Sequence, residues 1–359
     1  MTKKAPETGV HSAHVMTVLG PIPVEDMGVT LMHDHVLLDT SVWWQRPCCA
    51  SDIALAERPL DITIIGELRM NPFLNRDNCG LLDAEVAIEE LLRFVELGGK
   101  TIVDPTNIGI GRDPAGLQRI SRRTGLNIVM GAGFYLEPSH PDYVETLSAE
   151  QIAQLIAQDC GALDEKPEIC AGLIGEIGIS KDFTPAEEKV LRGAAGASKI
   201  SGVPLSIHLP GWERHAHRVL DIIEREGASL EHTVLCHMNP SAHDESYQRS
   251  LADRGAFLEY DMIGMDYFYA DQQAQSPCDE ENAVAIRKLI DAGYLNSILL
   301  SQDVFLKMML TRFGGFGYGY ILKHFVPRLK RHGVDQAAID HILIDNPRRV
   351  FSAPHRGAS

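Results

Sequence analysis

Eight short apolar runs, at residues 29–35, 100–105, 126–132, 171–177, 203–208, 232–237, 256–261 and 297–303, alternate with stretches of helical period. Each run is strand-length, and a strand that is apolar nearly throughout is one buried on both faces. The intervening stretches carry apolar stripes: in 83–97, Ala87, Ile88, Leu91, Leu92 and Val95 recur at helical spacing. Ser148 with Gln151 and Thr184 with Glu187 have the spacing of capping boxes, and Pro185 takes a first helical position, where its missing N–H costs nothing. Residues 212–227, 241–254 and 279–293 continue the alternation. Strands joined by helices run parallel, because the crossover is too long for a hairpin, and eight such units close as a barrel. The expected fold is therefore α/β, a (β/α)8 TIM barrel formed as one domain over residues 1–359. A doubly wound open sheet is the alternative.

Three connections exceed a simple turn: residues 41–80, 262–278 and 304–317. The first holds Trp43, Trp44, Arg46, Cys48, Cys49 and Arg69; the second Tyr267, Phe268 and Tyr269; the third Lys307, Arg312 and Phe313. In a barrel all three project from the C-terminal face, where substrates bind, and 41–80 forms an inserted loop region over it.

Within the first run, Val29-Thr30-Leu31-Met32-His33-Asp34-His35, side chains two apart share one side, so His33 and His35 can hold one metal ion together. A helix would need a spacing of about three or four. Taken alone, such a pair is more often two ordinary histidines at a strand end. Other runs, however, also finish in ligand-type residues: Glu176, His208, His237 and Asp303. The C-terminal ends of barrel strands converge on one mouth, and a nitrogen and oxygen set of this size suits two divalent ions such as Zn²⁺.

Similar-looking patterns are set aside. His215-x-His217 falls in a helical stretch, where that spacing splits the pair over solvated surface. Gly109-x-Gly111 has Pro114 where a dinucleotide fingerprint needs glycine. Gly314 to Gly319 lacks a Walker lysine and reads as a flexible loop. Cys236 alternates away from His237 into the core, whereas Asp261 is placed to support the ligands from behind.

His33-x-His35, His208, His237 and Asp303 resemble the binuclear metal set of the amidohydrolase superfamily, specifically the phosphotriesterase family. The similarity spans nearly the whole chain: Thr17-Val18-Leu19-Gly20-Pro21, Gly175-Glu176-Ile177-Gly178 and Asn346-Pro347. Well-known members bridge their metals with a carboxylated lysine; Glu176 stands here instead, as in the phosphotriesterase homology proteins and the phosphotriesterase-related, resiniferatoxin-binding branch. The resemblance implies that His33, His35 and Asp303 hold the more buried metal, and His208 and His237 the more exposed one. It further implies that Glu176 and a hydroxide nucleophile bridge both, that Asp303 shuttles the proton, and that Tyr135 orients a carbonyl.

The expected function is binuclear zinc-dependent hydrolysis of a lactone or carboxylic ester. Alternatives are a phosphotriester hydrolase and a metal-containing small-molecule binding protein. Glu176 in place of lysine speaks against paraoxonase-type activity. Arg46, Arg69, Lys307 and Arg312 in the long loops point to a polar or carboxylated substrate, with Lys307 a substrate contact. The net charge of −16 with no basic run argues against nucleic acid. No apolar run is long enough for a membrane helix, and Met1 to His14 has no signal-peptide core. Seven cysteines without a C-x-x-C pair suit a reducing compartment, so a cytoplasmic enzyme is expected. Its partner is a small-molecule substrate, and a homodimer is compatible with the sequence.

Overall fold

The computed structural model describes residues 13–352 apart from 45 and 48, so Cys48 and the segment before residue 13 lie outside the described residues. Eight parallel strands form one sheet: β1 (Thr30–Leu31), β2 (Thr101–Asp104), β3 (Asn127–Ala132), β4 (Leu173–Gly178), β5 (Leu205–His208), β6 (Thr233–Leu235), β7 (Phe257–Tyr260) and β8 (Ile298–Leu300). Each pairs with its neighbours in chain order. Hydrogen bonds beyond β1 and β8 join the sheet's two edges: the Asp303 N–H donates to the His33 carbonyl at 3.1 Å, and the His35 N–H to the Val304 carbonyl at 3.2 Å. The fold is a (β/α)8 barrel, and the open-sheet alternative falls away.

The apolar periodicity produces helices α1 (Ala84–Glu96), α2 (Pro114–Thr124), α3 (Ala149–Asp159), α4 (Pro185–Ser201), α5 (Ala216–Glu226), α6 (Glu245–Ala252) and α7 (Asp279–Asp291). Both expected capping boxes are formed, Ser148 with Gln151 and Thr184 with Glu187. The expected 212–227 helix starts only at Ala216, after the Pro210-Gly211 turn. The 241–254 stretch is interrupted: a 3-10 turn holds Asn239–Ser241, and α6 begins after its cap Asp244.

The barrel interior is apolar at its N-terminal end. Met32, Val103, Val129, Leu173, Val234 and Leu299 meet there and are closed off by Val15 of the N-terminal hairpin and by Val350 and Phe351. A plugged floor leaves the C-terminal mouth as the end open to ligand. Strand β1 is shorter than its apolar run because the backbone beyond Leu31 bonds irregularly: the His33 N–H donates to Ser301 Oγ at 3.0 Å and the Asp34 N–H to the Val103 carbonyl at 3.1 Å. Its two histidines therefore lie just past the strand. No described helix is long and apolar enough to cross a membrane.

The glycine-rich stretch is packed rather than loose, which corrects the reading as a flexible loop. A Cβ on Gly315 would sit 2.1 Å from the Met309 carbonyl oxygen, and Gly317 adopts φ 63° against the Glu90 carboxylate. Glu90, only 2% exposed, accepts from the Thr311 N–H and hydroxyl at 2.9 and 2.6 Å and from the Arg312 N–H at 2.9 Å. One α1 side chain thus ties down the connection after β8. Glu90→Ala strands these donors and is expected to destabilise the protein by roughly 2–4 kcal/mol in urea unfolding. A change below about 1 kcal/mol would mean that water replaces the carboxylate.

Candidate metal centre

Six side chains from five strand ends converge at the mouth: His33 and His35 past β1, Glu176 on β4, His208 on β5, His237 past β6 and Asp303 past β8. All but His208 are buried. Glu176 stands between the imidazoles. Its Oε1 lies 3.4 Å from His35 Nε2, while its Oε2 lies 2.9 Å from His208 Nδ1, 3.6 Å from His237 Nε2 and 3.6 Å from His33 Nε2. Asp303 Oδ1 is 3.4 Å from His35 Nε2 and 3.6 Å from His33 Nε2. His237 and Asp303 reach inward from left-handed backbone, φ 58° and 45°, a conformation that costs a non-glycine residue about 1–3 kcal/mol. Such strain persists where the surroundings impose it.

Each imidazole turns one nitrogen to the centre and has the other beside an outer partner. His35 Nδ1 is 2.7 Å from Thr106 Oγ1, His237 Nδ1 3.0 Å from Asp261 Oδ1, His208 Nε2 3.4 Å from the Tyr135 hydroxyl and His33 Nδ1 3.4 Å from Glu259 Oε2. Outer partners of this kind fix tautomer and aim in metal-binding histidines.

Burial alone would raise Glu176, but the His208 and His33 imidazoles hold it well below the usual carboxylate range. Asp303 is lowered against the same burial penalty by His33, His35 and His237. Burial lowers His208, whereas in His237 the Asp261 carboxylate overcomes burial and raises it to about 10.

The donor set fits divalent cations. His33 Nε2 and Asp303 Oδ1 are buried inside the cluster with no hydrogen-bond partner. Among the described residues the ion-pair partners of Glu176 and Asp303 are all imidazoles, with no lysine or arginine among them. Neutral imidazoles and carboxylates are the ligands that zinc-like ions take.

The phosphotriesterase family model matches residues 13–351. The chain belongs to the phosphotriesterase family. An N-acetyltaurine hydrolase from Tetraodon nigroviridis is 36% identical over 342 residues, 94% of this chain and 97% of that one. A resiniferatoxin-binding protein from Rhodobacter sphaeroides, whose structure is solved, is 56% identical, with TM-score 0.93 over 96% of this chain and 97% of that one. The lactonase Lmo2620 from Listeria monocytogenes is 25% identical, with TM-score 0.76 over 94% and 99% of the two chains. As a member of this family the chain is a metal-dependent hydrolase.

Above the centre of this phosphotriesterase-family barrel opens a cavity of about 340 Å³. Its wall is aromatic: Trp43, Phe73, Tyr135, Trp212, Tyr269 and Phe305. All three long connections contribute, since Trp43 and Phe73 come from 41–80, Tyr269 from 262–278 and Phe305 from 304–317. Tyr135 lies over His208 and receives the Trp43 indole N–H at 3.2 Å; burial pushes its phenol well above the usual value.

The cations expected at the mouth are elsewhere. Lys307 does not line the cavity; it pairs with Asp77, because the connection turns outward after Phe305. Arg312 pairs with Glu89, Arg69 lines a separate pocket, and Arg46 is exposed outside the cavity. Lys181 is the one lysine or arginine of the described lining, which also holds the carboxylates of Glu137, Asp182, Glu187 and Asp271. His215 and His217 separate as expected, His215 Nε2 reaching the Lys181 carbonyl at 2.8 Å and His217 Nε2 the Ser250 hydroxyl at 2.9 Å. Cys236 is fully buried, directed away from the mouth toward Ser206 Oγ at 3.1 Å.

Thr106 and Glu259 were not anticipated. Thr106 lies in irregular backbone just past β2, where periodicity says nothing about direction. Glu259 was legible: it is a charged residue in the middle of the apolar run Phe257-Leu258-Glu259-Tyr260, on the same strand face as Asp261.

Proposed function

We propose that the chain is a binuclear hydrolase, with zinc as the metal, that cleaves a carboxylic acyl bond: a lactone, an ester or an N-acyl amide. The observation that carries this reading is the placement of Glu176, whose two oxygens face different imidazole partners, His35 on one side and His208 with His237 on the other. His33, His35 and Asp303 would hold one ion and His208 and His237 the other, with Glu176 shared. When bound, such a pair makes water ionise near neutral pH and polarises the electrophile's oxygen.

The chain's own groups do the rest. Asp303, ionised and at the cavity floor, takes the proton of the attacking water and hands it to the leaving oxygen or nitrogen. With His208 Nδ1 given to an ion, its Nε2 would carry the hydrogen, and the Tyr135 oxygen would accept from His208 and Trp43. The Tyr135 hydroxyl hydrogen is then free to meet the substrate carbonyl. Tyr135→Phe is expected to lower kcat/KM about tenfold, equivalent to one hydrogen bond, with metal content unchanged. Activity equal to the parent would remove Tyr135 from the reaction.

Relatives named for N-acetyltaurine hydrolysis and a neighbour named a lactonase share attack at a carbonyl carbon, which supports acyl over phosphoryl chemistry. The aromatic wall supplies apolar contact for the acyl or leaving portion. The described lining holds Lys181 with Glu137, Asp182 and Asp271, while Lys307, Arg312 and Arg69 lie elsewhere, so the loop cations that suggested a polar, anionic lactone no longer support it. Asp303 favours turnover over mere binding, since a binder needs no proton acceptor. The test compares kcat/KM at fixed zinc for lactones, esters and N-acyl amides and for a diethyl aryl phosphate. Acyl compounds are expected to exceed the phosphate by more than about 100-fold. Equal or better turnover of the phosphate overturns the acyl assignment.

A further inference from the structure

Below the six converging side chains, on the inner face of β7, lies Glu259, which is fully buried. Its Oε2 is 3.4 Å from His33 Nδ1, and its Oε1 has no hydrogen-bond partner. Among the described residues its ion-pair partner is His33, with Asp261 and Cys236 also near it and no lysine or arginine paired with it. A dry carboxylate with a stranded oxygen and a second carboxylate nearby is expensive for the fold. Nothing in the packing of the barrel calls for a charge there, since the neighbouring interior positions Phe257, Val234 and Leu299 are apolar.

The second carboxylate is already engaged. Both oxygens of Asp261 are 3.0 Å from the His237 backbone nitrogen, and Oδ1 is also 3.0 Å from His237 Nδ1. Asp261 Oδ2 lies 3.4 Å from His33 Nδ1, but its directed bonds serve His237. His33 therefore needs an acceptor of its own.

We propose that Glu259 is a positioning residue. It accepts the His33 Nδ1 hydrogen, fixing the tautomer whose bare Nε2 faces Glu176 Oε2 and Asp303 Oδ1, both at 3.6 Å. A carboxylate partner also makes that nitrogen a stronger donor to a cation. Two of the four imidazoles thus carry carboxylate supports, Glu259 for His33 and Asp261 for His237, while neutral hydroxyls serve His35 and His208. The inference rests on the metal-centre reading and assigns a residue outside the ligand set.

The test separates support of the metal from support of the fold. Glu259→Gln keeps the shape and removes the charge. Chelator competition with Zn²⁺ should show affinity at one site falling about 10–100-fold with the other little changed. The metal-free variant should melt no lower than the metal-free parent, because the desolvated charge is gone. Unchanged zinc affinity, or a metal-free melting temperature that falls in step with affinity, overturns the proposal. Nitrogen-15 NMR of the zinc-loaded parent provides a check that needs no variant: His33 should carry its hydrogen on Nδ1, and an Nε2–H tautomer overturns it. A further overturning result is a thiolate-to-cobalt absorption band in the Co²⁺-loaded parent that vanishes in Cys236→Ser. His33, Cys236, Glu259 and Asp261 offer ligand atoms within 4.8 Å of one another, so that band would make Glu259 a ligand of a deeper ion. A parent that binds no zinc refutes the metal centre itself, whereas normal binding with an unaffected Glu259→Gln variant refutes this inference alone.

Discussion

Glu176→Gln is expected to lower kcat/KM by about 10²–10⁴-fold and to weaken binding of both metals, because it removes one charge from a buried network in which every partner is left behind. The side chain has contacts at both oxygens, with His35 at 3.4 Å and His208 at 2.9 Å, so a glutamine can present a carbonyl to only one of them. Its amide NH2 faces the other as a donor where an acceptor is needed. A glutamate that bridges two ions would do so without carbon dioxide. Reconstitution of the metal-free protein should therefore be indifferent to bicarbonate. Reactivation that depends on bicarbonate would mean that a lysine elsewhere holds the ions together.

Asp303→Asn is expected to lower kcat by about 10²–10⁴-fold, the usual worth of a positioned proton acceptor. Asparagine has the same size and retains an oxygen, so the retained metal can be measured alongside the rate. The carboxylate sits 7% exposed at the end of β8, on left-handed backbone that points it at His33 and His35. Asparagine tolerates that conformation well, which keeps the comparison free of backbone strain. If Asp303→Asn retains both metals and turns over within about threefold of the parent, the proton passes through another group.

The barrel and its six mouth residues were legible because two periodicities coincide. Apolar runs mark the strands, and the ligand-type residue at the end of each run falls where the strands meet. Boundaries were less legible near the seam. From Met32 onward the β1 backbone bonds to Ser301 and Val103 rather than along a ladder, and no local pattern announces that. Lys307 shows a different limit. Its connection does cross the mouth, with Phe305 in the cavity wall, but two residues later the chain has turned and the ammonium meets Asp77, far away in sequence. Membership of a loop says little about the direction of one side chain. Asp261 was flagged by its place at the end of its run; Glu259 lies two residues before it on the same strand face, and its charge within an apolar run was the signal.

Elemental analysis of protein purified under zinc-replete conditions tests the binuclear reading most directly. The account predicts about two divalent ions per chain in the parent and no more than about one in the His208→Ala, His237→Ala double variant, which loses both imidazoles of one ion. A parent that holds none, or only one, with zinc in excess would contradict it.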